Sequence, residues 1–271
     1  MTVRNESGIS KIHISEISSI VLATTQVYLS CHLLMELAKA KVPVIISDEK
    51  SNPVGEFLPL YGAHNPSKRI HEQMGWSEPA KKRVWQKVVK HKIGHQADVL
   101  LLFDRVEEAA QLRAGVGEVK SGDVTNREAW AAKIYFSALF GSDFTRTSDC
   151  VVNSSLNYGY AVLLSMVNRE IVARGYLTQV GIFHKNEYNP FNLSCDLMEP
   201  FRPLVDKIVM ETSCECFDRE EKLRLASVGT QRVSFEGGSY KASSVVSGYV
   251  QSCLNALAKR KEVGDIEDYS F

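Results

Sequence analysis

Apolar positions near the start of the chain fall in two short β-branched runs, residues 18–23 (SSIVLA) and 42–47 (VPVIIS), which read as strands. Between them, residues 29–41 put Leu33, Leu34, Leu37 and Ala38 on one side of a helix. Ser51, Asn52, Pro53 and Gly55 then punctuate a turn into a third strand over residues 56–61. From about residue 78 the spacing becomes helical. Residues 81–96 carry Val84, Trp85, Val88 and Val89 on one face. Residues 126–140 follow a Thr125 or Asn126 cap, and Trp130, Ala131, Ile134, Tyr135, Ala138 and Leu139 form a broad apolar stripe. Residues 154–174 repeat the pattern through Leu163, Leu164, Val167, Ile171 and Val172 and stop at Gly175, a helix C-cap. Residues 196–210 are amphipathic, with Pro200 and Pro203 confining or bending the regular part. A hairpin is expected around Glu236, Gly237 and Gly238, and a last helix over residues 243–261.

This pattern predicts an α+β fold: a small N-terminal β-rich domain, residues 1–77, followed by a larger all-α C-terminal domain, residues 78–271. Length agrees, because single cores stop growing near roughly 250–300 residues. A hydrophobic fraction of 44% and a charged fraction of 24% exclude disorder and collagen-like structure. No apolar run reaches the ~20 residues of a bilayer span, and no signal sequence opens the chain, so a cytoplasmic location is expected. Six scattered cysteines read as free thiols, and Cys214 and Cys216 form only a lone CxC.

Net charge is zero, but its distribution is uneven. Lys81, Lys82, Arg83, Lys87, Lys90 and Lys92 lie within a dozen residues without an acid, a stripe able to attract phosphates or simply a solvated helix face. Residues 262–268 carry four acids and no base. His91 and His95 have the spacing of a helical metal pair, yet no Glu follows the first and no third ligand is near, so a solvated basic face is expected there.

His184 differs. It ends a strand-like run over residues 178–183 and is followed closely by Asp196 and Glu199. At i and i+3 of a helix, both carboxylates point to one side and can converge with an imidazole from the preceding loop. Carboxylates with a neutral imidazole suit magnesium or manganese. The bland alternative is that Asp196 caps its helix and Glu199 is a surface acid. Glu128 stands in the first turn of its helix, where the dipole alone favours an acid by ~0.3–1 kcal/mol.

Four blocks occur in order: residues 125–136 (TNREAWAAKIYF), 156–164 (LNYGYAVLL), 181–184 (GIFH) and 196–203 (DLMEPFRP). Together they resemble the signature blocks of the CRISPR-associated Cas-one family, the adaptation integrases and endonucleases, most similar to type II members. Residues 61–64 (YGAH) and 74–77 (MGWS) extend the resemblance over nearly the whole chain. It implies an N-terminal β-sandwich, a helical catalytic domain, and Glu128, His184 and Glu199 as catalytic residues and ligands of magnesium or manganese. It further implies DNA as partner (prespacer and CRISPR repeat), and a homodimer, two of which are bridged by a dimer of the Cas-two protein. Asp196 and Arg202 are candidates to support the site, and Tyr158, Lys133, Lys87 and Lys90 to touch DNA, although Tyr158 reads equally well as a buried helix-interface residue. Lys133 stands where the family often has Arg, retaining charge but losing a bidentate phosphate donor. Residues 1–6 resemble an interior strand, so an opening strand of the first domain is expected to be missing.

The reaction implied is attack of a DNA 3′-hydroxyl on a phosphodiester of the repeat array. Three other readings stay open on sequence alone: a metal-dependent nuclease of branched DNA that does not integrate, a non-catalytic DNA-binding scaffold, and a helical protein unrelated to nucleic acid.

Overall fold

The computed structural model describes the chain except for residues 6–7, 18, 23, 49–52, 61–62, 64 and 213–216. The first strands, β1 (Thr2–Asn5) and β2 (Gly8–Lys11), pair antiparallel in a sheet of their own. A second sheet has the order β3-β4-β5, from β3 (Ile20–Leu22), β4 (Val44–Ser47) and β5 (Pro53–Phe57). β3 and β4 run parallel, so a crossover must join them, and α1 (Cys31–Lys39) supplies it. The Ser30 side chain caps α1 by accepting the Leu33 N–H, and Leu37, on the expected apolar side, is buried against Val42 and Val44. The third strand pairs over Pro53–Phe57, earlier than residues 56–61; Tyr61, Gly62 and His64 of the YGAH block lie outside the described residues, as do Cys214 and Cys216. Among the described residues the chain has two small sheets here, and one strand pair, β1 and β2, that periodicity does not reveal.

Helices dominate from α2 (Pro66–Met74) onward: α3 (Glu78–Leu102), α4 (Val106–Val116), α5 (Arg127–Phe140), α6 (Val151–Ala173), α7 (Asn192–Met198), α8 (Arg202–Met210) and α9 (Arg219–Ala226). A hairpin of β6 (Arg232–Phe235) and β7 (Gly238–Lys241) precedes α10 (Ala242–Leu257). Its turn is at Glu236 and Gly237, both at positive φ (48° and 75°), as a two-residue hairpin turn requires. The helical part therefore carries one short β ribbon.

α3 runs through the middle of this assembly, with α4, α5, α8 and α10 against it. Val84, Trp85, Val88, Val89 and Ile93 are all but inaccessible, and each such side chain contributes roughly 1.5–3 kcal/mol by leaving water. A helix covered on all sides must also bury its polar residues, and His91, Lys92, His95 and Gln96 are 2–8% exposed. This overturns the solvated face expected for His91 and His95.

Arg83, Lys87 and Lys90 stand at i, i+4 and i+7 and share a face, whereas Lys92 turns inward, so the basic stripe is not continuous.

Two local features shape the functional region. Asp123, rather than Thr125 or the Asn126 side chain, caps α5 by accepting the N–H groups of Arg127 (2.9 Å) and Glu128 (3.0 Å). The segment expected as one helix over 196–210 is divided by Pro200 and Pro203 into α7, a 3-10 turn over Glu199–Phe201, and α8. That turn sets Glu199 at a corner facing α3.

Candidate active site

Three elements meet around one ammonium. Lys92 of α3 places Nζ 2.6 Å from Oε1 of Glu128, in the first turn of α5, and 2.5 Å from Oε2 of Glu199. Arg202, at the start of α8, donates Nε–H to the other oxygen of Glu199 at 2.9 Å. Glu199 is 3% exposed, which excludes a surface acid. Burial alone would raise its pKa, but the charges of Arg202 and Lys92 outweigh that and hold it down at about 2. Burial likewise pulls the Lys92 ammonium down, and Glu199 and Glu128 more than reverse it. Oε2 of Glu199 forms no aligned hydrogen bond; Lys92 meets it as a charge contact.

His184 arrives by a different route. Residues 178–183 form bends, not the expected strand, and at the end of the run the buried carboxylate of Asp196 takes amides that a neighbouring strand would have used. It accepts the N–H groups of Ile182 (2.6 Å), Phe183 (3.1 Å) and His184 (3.0 Å). The same group lies 2.7 Å from Nδ1 of His184. A carboxylate only accepts, so Nδ1 carries the proton and Nε2 is left open. Only glycine fits at 181, where a Cβ would lie 2.5 Å from the His184 carbonyl oxygen and 2.8 Å from Oδ2 of Asp196. Phe183 stacks on Trp85 of α3 at 4.2 Å, and His184 meets the same ring edge-on at 5.8 Å. The hydrogen bond to Asp196 raises the His184 pKa, burial opposes it, and the charges of Asp196, Glu199 and Glu128 add to the rise. Glu128 and Glu199 thus meet at Lys92, and His184, up to 71 positions from them, is near enough for its ring to feel their charges.

The other candidates scatter. Asp196 orients His184, and Arg202 pairs with Glu199. Tyr158 is 2% exposed and packs edge-on against Phe217, as a helix-interface residue. Lys133 is exposed on α5, and Lys87 and Lys90 are half-buried on α3. Sequence reasoning missed Lys92, which looked like one more member of the stripe, and also Tyr160, Asp206, Arg146 and Gln96. These line a cavity of about 210 Å³ with Lys92, Glu199 and Arg202. There Tyr160 donates its hydroxyl to Asp206, and the Arg202 guanidinium lies 4.5 Å from the Tyr160 ring. Burial pushes the Asp206 carboxyl up to about 6. The spacing of Tyr160 in the LNYGY block, two residues after Tyr158 and so on a different helix face, was the available clue.

As placed, no three His, Cys, Asp or Glu side chains among the described residues are gathered closely enough to hold a metal ion. The donor chemistry nevertheless fits one. Glu128 and Glu199 already converge on a cation, and the carboxylate–imidazole pairing of Asp196 and His184 is how proteins orient a histidine ligand.

The family model of CRISPR associated protein Cas1 matches residues 1–215, a span that holds every residue of this cluster. The chain belongs to the Cas1 family. It is 41% identical over 199 residues to the CRISPR-associated endonuclease Cas1 of Neisseria meningitidis, an alignment covering 73% of this chain and 66% of that protein. In fold it is similar to a casposase bound to integration product, with a TM-score of 0.76, 20% identity, and coverage of 91% of this chain and 80% of the other. It is also similar to a chain of a Cas6-RT-Cas1–Cas2 complex, with a TM-score of 0.74, 18% identity, and coverage of 98% and 34%. The Cas1 fold accounts for the strand region followed by helices. No described helix is long and apolar enough to cross a membrane.

Proposed function

We propose that this chain is a metal-dependent DNA integrase and endonuclease of CRISPR adaptation, inserting prespacer DNA into the repeat array. The observation that carries the reading is the convergence of Glu128 and Glu199 on one cation position, beside an imidazole oriented by Asp196. Magnesium or manganese held by Glu128, His184 and Glu199 would stabilise charge on the reacting phosphate and make the attacking hydroxyl more acidic. The new 3′-oxygen to phosphorus bond forms as the bond to the target strand's 3′-oxygen breaks, and that oxygen takes up a proton. No covalent enzyme intermediate is required. His184 offers only Nε2, so it acts there as ligand or as proton carrier, not both at once. Arg202 holds Glu199 and adds positive charge for a phosphate.

On this reading residues 78–271 form the catalytic domain and residues 1–77 a separate β-rich domain. The chain works as a homodimer with Cas2, two dimers bridged by a Cas2 dimer, which fixes the spacing between active sites. In support, one structural relative is a component of a Cas1–Cas2 assembly and another is bound to integration product.

The test incubates the protein with manganese, a labelled duplex bearing free 3′-hydroxyls and a repeat-bearing plasmid, with and without Cas2. Label joined covalently to the plasmid, enhanced by Cas2 and lost in Glu199→Ala, is the expected result. Nicking without joining under every condition would favour a hydrolytic nuclease.

A further inference from the structure

The position between Glu128 and Glu199 is filled by an ammonium, and the local charges already balance. Lys92 and Arg202 carry two positive charges, and Glu128 and Glu199 carry two negative ones, all within one set of contacts. A divalent ion entering this set would sit beside Lys92 in a largely water-free region, where like charges repel strongly. The ion and the ammonium therefore compete for the two carboxylates.

Resting on the metal-site reading above, we infer that Lys92 is a built-in counter-cation that occupies the ion's position in the ion-free protein and competes with the ion for Glu128 and Glu199. The fold provides a place for it to go. Lys92 borders the 210 Å³ cavity, and Gln96, one turn further along α3, borders the same space. Oε1 of Gln96 is buried and has no hydrogen-bond partner, so an acceptor for an ammonium is present there and unused. Asp206 lines the same cavity. Withdrawal by one side-chain rotation would exchange the carboxylate contacts for these acceptors and leave the positive charge beside the site, where a DNA phosphate would meet it.

Two consequences follow. Without an ion, Lys92 holds two carboxylates together that would otherwise repel. With an ion, it is the chief opponent of binding, and so sets the affinity. Lys92 is thereby a positioning residue for the ligands rather than a ligand itself.

The test measures Mn²⁺ binding to the whole protein by the loss of the free-ion electron paramagnetic resonance signal, together with thermal midpoints with and without Mn²⁺. The proteins compared are wild type, Lys92→Met, Lys92→Gln, Lys92→Arg and Glu199→Gln. Removing the positive charge should tighten Mn²⁺ binding about tenfold or more. It should also lower the ion-free midpoint and enlarge the rise that Mn²⁺ produces. Lys92→Arg, which keeps the charge, should stay within about threefold of wild type, since only the charge-removing variants relieve the repulsion. A Lys92→Met protein that folds only when Mn²⁺ is present would also support the inference, and Lys92→Gln then supplies the affinity. Equal or weaker Mn²⁺ binding by both Lys92→Met and Lys92→Gln, while Glu199→Gln loses binding, would overturn the inference and leave the metal-site reading standing. Wild type and Glu199→Gln binding Mn²⁺ alike would overturn the metal-site reading itself, and the inference with it.

Discussion

Asp196→Asn is a small change at the point where the His184 segment is tied to α7. The carboxylate receives four hydrogen bonds: two on Oδ2, from the amides of Ile182 and Phe183, and two on Oδ1, from the amide and ring of His184. An asparagine amide keeps one accepting oxygen and turns the other into an NH₂ group: in place of Oδ2 it faces the amides of Ile182 and Phe183, and in place of Oδ1 it faces the His184 amide while the ring, switching tautomer, accepts from it at Nδ1. Hydrogen bonds to a charged group are worth roughly 1.5–3 kcal/mol each, so losing one or two of them costs about 1.5–6 kcal/mol. For a chain of 271 residues, at about 2 °C per kcal/mol, that lowers the thermal midpoint by about 3–12 °C. Calorimetry or circular dichroism on wild type and variant measures it. The same substitution removes the group that orients the imidazole, so Mn²⁺ affinity should fall about 10- to 100-fold. The elevation of the His184 pKa, led by its hydrogen bond to Asp196, should also shrink in an NMR titration. A variant within about 1 kcal/mol of wild type and equal to it in Mn²⁺ affinity would show that Asp196 does not hold the site.

Gly181→Ala should destabilise by roughly 1–3 kcal/mol and weaken strand joining, because the new Cβ strikes a backbone oxygen; an unaffected denaturant midpoint would contradict it. His95 faces acceptors with both ring nitrogens, Pro200 O at 2.7 Å and Tyr269 O at 2.9 Å, with Asp268 at 2.9 Å. Burial lowers its pKa, but Asp268 and the two carbonyls more than reverse it, so the folded value exceeds the unfolded one. Its contribution is therefore complete below the unfolded pKa of about 6.5 and fades as pH rises through the folded value. The stability gap between wild type and His95→Gln, read from denaturant midpoints, should shrink with rising pH, and a constant gap would refute this. Neutralising Lys87 and Lys90 should weaken DNA binding at low salt and lower the slope of log affinity against log salt by up to about 0.9 per lost phosphate contact. Unchanged binding across salt concentrations would show that this face of α3 does not meet DNA.

The elements that periodicity reveals are those with one apolar face. α5 and α6 begin and end within a few residues of their expected limits, and the Glu236–Gly238 turn is where its residue types require it. α4 lacks a clear apolar stripe, and nothing in its spacing announces it. The strand expected before His184 meets a competitor outside its own sequence: Asp196, a dozen residues later, takes the amides of Ile182, Phe183 and His184 at its end. Lys92 was hidden for a related reason, since a lysine inside a run of lysines looks solvated until the acids it meets, 36 and 107 positions away, are brought to it. The ligand set itself was legible only through the four blocks together. Each acid alone had an ordinary explanation, and Glu199 loses its own only once its burial is known.

Manganese soaked into crystals can be located by its anomalous scattering. One strong peak is expected, bonded to Glu128, Glu199 and Nε2 of His184, with the Lys92 ammonium no longer between the two carboxylates. A fully loaded crystal in which manganese binds elsewhere, and Lys92 still bridges Glu128 and Glu199, would contradict it.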